Sequence, residues 1–534
     1  MRERNIEKKT QRTWGGAINK FDKWRVLVLV FLITFLIFLT INLGSMTVQW
    51  DEASHLDGGF LLLHGHLNSY MNTDSFYPPL DDLITASYFA VGGSSLFVGR
   101  LVSVTFVVLT VLAVFEFAYR TYDRRTAFVS AILLGTMPGI IWLGRVAMLD
   151  TILLFFFSAS MMLFFFWLQR HETKYLILSG VTLGLGFLAK YPIIIAAIAM
   201  LASILLIKGD SVKKRLSRFP YLLLTAIIIV VPWLIVMYQT YSTGMLNQWL
   251  NVMNLHIPQN INVPAPVFYL VAMVWPYGVL HPISIVVYAL GLVGIGFLAW
   301  RRRPEDKFLL IWFFTAYIFF SFIGQMQWRY IVPVFPVIAM SAANLVTSAF
   351  SKAEKNWGKP QVNVRRVRFG KIAAVGLIAV TVFAVAYSGL DAYSWVTTHN
   401  AYKLPLSDAS QYVATRLNSS DSLVILFPIN EFNSAAVNFY VYNANPNYQS
   451  QTWQYPNVAV DTYQFTFNVT ELTNLCQTNH AKYLLLFEYG EDFPYFNSNL
   501  TMHSVLSELT NTSRFALETS FGSFPQKIFV LSFT

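Results

Sequence analysis

Residues 26–52 read VLVLVFLITFLIFLTINLGSMTVQWDE. The apolar run 26–44 is long enough to cross a bilayer as a helix, which needs roughly 20 residues. Just past its end stand two adjacent carboxylates, Asp51 and Glu52. A basic stretch, Arg2 to Arg25, precedes the run, and no small-x-small cleavage site follows it. These features predict a retained membrane anchor with ionisable groups at its outer edge.

The same reading extends along the chain. Ten further apolar stretches are expected to span, at about 100–118, 127–143, 151–168, 175–189, 191–207, 219–238, 277–300, 308–324, 330–350 and 372–390. Hydrophobic types make up 55% of the 534 residues and charged types 12%. The charged share is about half the roughly 25% of a soluble domain, so disorder, a coiled coil and a single soluble globule are excluded. One cysteine, Cys476, excludes an intrachain disulfide framework and a cysteine-rich metal site.

A net charge of +10 would by itself suggest nucleic acid. Its distribution argues otherwise. With eleven spans and the N-terminus in the cytoplasm, segments 1–25, 119–126, 169–174, 208–218, 301–307 and 351–371 face inward and hold 29 of the 38 Lys and Arg. That asymmetry is the positive-inside pattern. On the outer side of the membrane part remain Arg100, Arg145, Lys190 and Arg329. Residues 391–534 carry 5 basic and 11 acidic residues and four N-x-[ST] sequons, at Asn418, Asn468, Asn499 and Asn511. An extracytoplasmic α/β domain is expected there, with strands at 423–427 and 483–487 and a helix at 408–417. The domain plan is a cytoplasmic tail 1–25, a polytopic α-helical membrane domain 26–390 and the outer domain 391–534.

Two outer loops are long, 45–99 and 239–276. Segment 80–96 places Leu80, Leu83, Ile84, Tyr88 and Val91 at helical spacing with Asp81 and Asp82 off that stripe. This predicts an amphipathic helix on the outer membrane surface. Segment 243–257 repeats the pattern with Leu246, Trp249, Leu250 and Met253. Asp51 and Glu52 suit general-base work, because a low local dielectric lifts a carboxylate toward the working pH. An ordinary solvated helix start would carry the same pair. Asp57, Asp74, Asp81 and Asp82 are expected at the surface. Asp150 lies between two apolar spans, where an ionisable group is a functional candidate; a pair with Arg145 is the structural alternative. Fixed cations suit a desolvated anion, and Arg suits phosphate best; snorkelling to headgroups is the alternative. His55, His64 and His66 share the first long loop and His256 lies in the second, without metal-ligand spacing. Walker A, G-x-G-x-x-G and G-x-S-x-G motifs are missing from the sequence.

Six elements taken in order resemble a known family. They are Asp51-Glu52 after the first span, Tyr77-Pro78-Pro79-Leu80, Arg100-Leu101, Asp150 to Phe155, Gly186 to Pro192, and Arg329-Tyr330 with Pro333 and Pro336. Together they resemble the polyprenyl-phosphate-dependent glycosyltransferases of the multispanning GT-C fold, nearest the protein O-mannosyltransferases and the aminoarabinose transferases of lipid A. Many members have Lys where Tyr77 stands, and no Lys or Arg occurs here from 219 to 300. The resemblance implies an inverting transfer of a sugar, mannose or another hexose or pentose, from a dolichyl- or undecaprenyl-phosphate donor to a protein, lipid or glycan hydroxyl on the outer face. In that scheme Asp51 is the base, with Glu52 and Asp150 orienting the substrates. Arg329, Lys190, Arg100 and Arg145 are the donor-phosphate candidates, and Tyr77, Tyr330 and His256 are further substrate-site candidates. No cofactor is assigned; a divalent metal on His256 with a first-loop carboxylate, Glu52, stays open. The partners expected are membrane lipids, the lipid-linked donor and the acceptor, with no nucleic acid. A polytopic transporter or flippase and a non-catalytic membrane scaffold are the rival readings.

Overall fold

The computed structural model describes residues 22–72, 77–209, 211–242, 244, 261–276, 281–324, 326–355, 364–401, 404–418, 420–429, 431–446, 448, 452–456, 466–488 and 501–534. Its first part is helical throughout: α1 (Lys23–Thr40), α2 (Trp50–Leu63), α3 (Leu67–Asn72), α4 (Leu80–Gly92), α5 (Leu96–Thr121), α6 (Arg124–Gly135), α7 (Pro138–Gly144), α8 (Leu149–Arg170), α9 (Thr173–Ala189), α10 (Ile194–Leu206), α11 (Val212–Tyr241), α12 (Ala265–Ala272), α13 (Ile285–Arg301), α14 (Pro304–Ser321), α15 (Phe335–Lys355) and α16 (Val364–Ala401). Two 3-10 turns, Tyr191–Ile193 and Trp328–Val334, lead into α10 and α15.

Among the described residues, each of the eleven apolar stretches overlaps a helix or the bent pair α6–α7. Six helices among the described residues are long and apolar enough to cross a membrane alone, or seven counting the bent pair as one. The chain is an integral membrane protein. The bend between α6 and α7 is 66°. Pro138 at the first position of α7 accounts for it, because proline cannot donate to the preceding turn. At the bend Gly139 donates its N–H to the Pro282 carbonyl at 2.9 Å, an approach that a Cβ would block.

Helix α1 shows how an apolar helix behaves in this setting. Val28, Leu32, Phe35 and Leu39 form one buried stripe, while Leu29, Val30, Ile33 and Ile37 on the other sides are exposed. Lipid is as apolar as leucine, so burial supplies little drive and close backbone packing carries association. Gly180 and Gly184 of α9 face α11, where added Cβ atoms would stand 2.5 Å from the Leu222 carbonyl oxygen and 2.9 Å from that of Ala226. Gly294 of α13 meets the Ser341 carbonyl of α15 in the same way.

Helix α4 occupies the expected amphipathic segment, but its acids, and not its whole apolar stripe, are buried. Leu83 and Val91 are 50% and 92% exposed, whereas Asp81, Asp82, Thr85 and Phe89 are buried against α2. Asp57 is buried as well. The expectation that Asp57, Asp81 and Asp82 are surface residues is therefore wrong. Leu80, Ile84 and Tyr88 of the same stripe are half-buried against the core, so the two acids turn inward while only Leu83 and Val91 of the apolar stripe stay exposed. Asp74 and most of the second amphipathic segment, 245–257, lie outside the described residues.

Helix α16 continues past the expected span end at 390 to Ala401. After it comes an α/β unit: α17 (Leu406–Ala414), β1 (Ser422–Leu426), α18 (Ser434–Ala444), β2 (Thr452–Tyr455), α19 (Val469–Thr478), β3 (Ala481–Glu488), α20 (Met502–Thr510), β4 (Phe515–Ser523) and β5 (Gln526–Phe533). The sheet order is β2-β1-β3-β5-β4, with β1 parallel to β2 and β3, and β5 antiparallel to β3 and β4. Strand β1 is buried along its whole length. Leu423 and Ile425 join one apolar cluster and Val424 and Leu426 another, as the alternation of a strand covered on both faces requires. The first cluster also holds Ala53, Leu56 and Phe60 of α2. The unit thus docks on α2 and the segment before it: Phe60 of α2 stacks on Tyr442 at 5.8 Å, and the Leu404 N–H donates to Thr47 Oγ1 at 3.0 Å.

Candidate active site

Helices α2 and α8 both present an acid in the first turn, Asp51 and Asp150. A helix N-terminus stabilises a carboxylate there. The turn after α9 supplies Lys190, and the 3-10 turn before α15 supplies Arg329 and Tyr330. These four segments, distant in sequence, converge on one charged chain. Arg329 Nη2 reaches Asp51 Oδ2 at 2.5 Å, and its Nη1 stands 4.0 Å from Asp150 Oδ2. Lys190 Nζ bonds Asp150 Oδ1 at 2.8 Å. The Tyr330 ring lies beneath both cations, 5.1 Å from Lys190 Nζ and 5.7 Å from the Arg329 guanidinium. Arg329 Nε also donates to Gln327 Oε1 at 2.6 Å, and Met148 Sδ lies 2.8 Å from Nη1.

Exposure divides the four. The Asp51 side chain is 44% exposed, Arg329 and Lys190 are each 15%, and Asp150 is 2%. Asp51 is therefore the acid within reach of an incoming molecule. Partial burial pulls its carboxyl up, but the charge and hydrogen bond of Arg329 outweigh burial and hold it below the usual carboxylate range. This reverses the expectation that the membrane edge lifts Asp51 toward neutral pH.

Glu52 and Arg100 meet elsewhere. Both are fully buried and pair bidentately, Nε to Oε1 at 2.6 Å and Nη2 to Oε2 at 2.8 Å. The Ala147 N–H adds to Oε1 at 2.9 Å and the Gln49 N–H to Oε2 at 3.1 Å. All acceptor positions of Glu52 are thus taken. Arg100 spends its other donors on the carbonyls of Leu43, Met46 and Thr47. Arg145, likewise buried, donates to the carbonyls of Leu39 and Ile41 at the end of α1. Glu52, Arg100 and Arg145 therefore form the scaffold behind the site, and neither Glu52 as a substrate or metal ligand nor the two arginines as phosphate ligands match this placement. Asp150 pairs with Lys190 and Arg329, and not with Arg145 as the structural alternative had it.

Tyr77 stands edge-on to His55 at 5.4 Å. His55, one helical turn beyond Asp51, has donor atoms close to those of Asp81 and Asp82, all three buried. Burial holds the His55 imidazole down at about 4 and raises Asp81 to about 7, with the Asp150 charge adding to the latter. Tyr70 donates to Asp82 Oδ2 at 2.8 Å. Gln327, Met148 and this His–Asp cluster carry no motif; only the four-residue step from Asp51 to His55 hinted at shared facing. His256 lies outside the described residues.

A family profile described as dolichyl-phosphate-mannose-protein mannosyltransferase matches residues 77–236. The undecaprenyl phosphate-alpha-4-amino-4-deoxy-L-arabinose arabinosyl transferase of Erwinia tasmaniensis is 28% identical over 302 residues, 54% of this chain and 52% of that protein. The chain thus aligns with about half the length of the curated relatives it matches. The structure of ArnT from Cupriavidus metallidurans bound to undecaprenyl phosphate superposes with a TM-score of 0.64 at 14% identity, covering 96% of this chain and 98% of that one. The Archaeoglobus fulgidus oligosaccharyltransferase, tethered to an acceptor peptide, gives 0.55 at 15% identity over 87% and 69%. The chain has the multispanning GT-C fold of these transferases, with a small C-terminal sheet domain.

Proposed function

We propose that the protein is an inverting glycosyltransferase that takes a sugar from a polyprenyl phosphate and places it on a hydroxyl at the outer face of the membrane. The observation that carries this reading is the chain Asp51–Arg329–Asp150–Lys190, with its one exposed acid at the membrane edge. The likeness to transferases that use such donors supports it.

The donor phosphate binds Arg329 and Lys190, where two cations replace its hydration. Arg329 then shares its charge with phosphate, and Asp51 regains basicity as its partner is drawn away. The Asp51 carboxylate takes the proton of the acceptor hydroxyl. The acceptor oxygen bonds the anomeric carbon from the face opposite the phosphate, and the sugar–phosphate bond breaks with its electron pair leaving on phosphate. Asp150 holds the two cations in place, and Tyr330 sits beneath them. Phosphate leaves as a stable anion, so a strong general acid is not required. The basic loops face the cytoplasm and the α/β unit faces outward, which puts the site on the side where nucleotide sugars are absent and a lipid-linked donor is needed.

Purified protein incubated with radiolabelled polyprenyl-phosphate sugars and membrane extracts is expected to form a labelled product. Asp51→Asn should lose about 10²–10⁴-fold in rate, the usual worth of a general base, with its melting temperature preserved. Wild-type rate in Asp51→Asn would remove the base assignment. Donor translocation without a new glycosidic bond would favour the transporter.

A further inference from the structure

We propose that His55, Asp81 and Asp82 form a binding site for one divalent transition-metal ion, clamped between α2 and α4 beside the charged chain of Asp51. The ligand atoms of the three residues all lie within 4.8 Å of one another, and all three side chains are buried. His55 Nδ1 stands 3.8 Å from Asp81 Oδ2, too far for a hydrogen bond.

Three observations go beyond the clustering of acids. Asp82 is 93% buried, and although Tyr70 serves its Oδ2, its Oδ1 has no partner among the described residues. Leaving such an acceptor unpaired costs about 1–3 kcal/mol, more if it is charged. Next, the cations nearby are already engaged: Arg329 and Lys190 pair with Asp51 and Asp150, and among the described residues no Lys or Arg pairs with Asp81 or Asp82. Two neighbouring buried carboxylates thus lack a counter-charge that a divalent ion would supply. Finally, the backbone makes room for them. Gly58 and Gly59 of α2 face α4, where a Cβ on Gly58 would stand 2.7 Å from the Asp82 carboxylate and one on Gly59 would stand 2.5 Å from Thr85 Cγ2.

One imidazole nitrogen with two carboxylates is a mixed donor set. It suits Zn²⁺ or Mn²⁺ better than Mg²⁺ or Ca²⁺, which favour all-oxygen shells. The ion would pin α4 to α2 one turn from Asp51 and add positive charge beside the site. The binding site itself does not depend on the transfer reaction proposed above, and its test needs no turnover.

Full-length protein in detergent, stripped with chelator and desalted, is titrated with MnCl₂ and followed by loss of the free Mn²⁺ resonance. One ion per chain is expected, with ¹⁴N modulation in the bound spectrum from a single imidazole. Asp82→Asn should weaken binding by roughly 10- to 100-fold or more, the range known for disturbing even outer-shell partners. His55→Gln should abolish the ¹⁴N signal, while His256→Ala should leave both readouts intact. Zinc K-edge absorption of the wild-type protein requires no variant and should show an all-N/O shell with one imidazole. No stoichiometric binding to the wild type overturns the proposal. So does nitrogen modulation that persists in folded His55→Gln, or a zinc shell with no imidazole or with two.

Discussion

Asp51 keeps 44% of its side chain accessible while Glu52, its neighbour, keeps none. One residue of offset in a first helical turn separates a group facing the site from one sealed behind it. The consequences for substitution differ in kind. Glu52→Gln breaks a fully buried bidentate pair with Arg100, and loss of one partner of such a pair costs about 3–5 kcal/mol. Thermal unfolding in detergent should therefore show Glu52→Gln markedly destabilised, whereas Asp51→Asn should melt with the wild type. Asp51 also predicts a pH response. Arg329 holds its carboxyl below the usual range against the upward pull of burial. The acid limb of kcat/KM, which reports the free enzyme, should accordingly lie below that of an ordinary carboxylate. In Arg329→Gln burial acts unopposed by that charge, so the limb measured on the residual activity should move to higher pH. An unmoved limb would separate Asp51 from the rate. The family resemblance singled out Asp51 as the base, but residue types alone did not separate the two acids, because Asp and Glu side by side carry the same chemistry until their partners, Arg329 and Arg100, are placed.

At the scale of elements, the spacing of Leu80, Leu83, Ile84, Tyr88 and Val91 located an amphipathic helix, and α4 is that helix. The spacing could not say which face the protein takes, since that depends on whether water or lipid lies outside. With Leu83 and Val91 exposed and Asp81 and Asp82 buried, α4 should lie with its apolar stripe in the acyl region. Nitroxides on Leu83→Cys and Val91→Cys in nanodiscs should be relaxed more by oxygen than by a water-soluble nickel complex. The opposite ranking would place the stripe in water. The only cysteine, Cys476, is buried and adds little background labelling. The central strands β1 and β3 were readable as short apolar runs. The β4–β5 hairpin was not, because its outer strand is largely exposed and carries little pattern.

For the whole molecule, orientation follows from charge. The loops that hold most Lys and Arg should face the cytoplasm, and the α/β unit should face out with Asn418, Asn468 and Asn511, all exposed. Intact cells expressing Asn511→Cys should react with a membrane-impermeant maleimide, while Arg302→Cys should react only after permeabilisation. The reverse result would invert the topology and move the site to the cytoplasmic face. By itself the amino-acid sequence indicated the membrane class, the apolar helices and Asp51, Asp150, Lys190 and Arg329 among its outer charges, because apolar run length and charge asymmetry act locally along the chain. Only the tertiary structure decided which ions meet. Asp51 and Arg329 are 278 residues apart, and Glu52 and Arg100 are 48 apart. No spacing rule spans such distances. Packing of α2, α8, the turn after α9 and the turn before α15 brought the Asp51–Arg329 chain together, and burial then separated an accessible acid, Asp51, from a sealed one, Glu52.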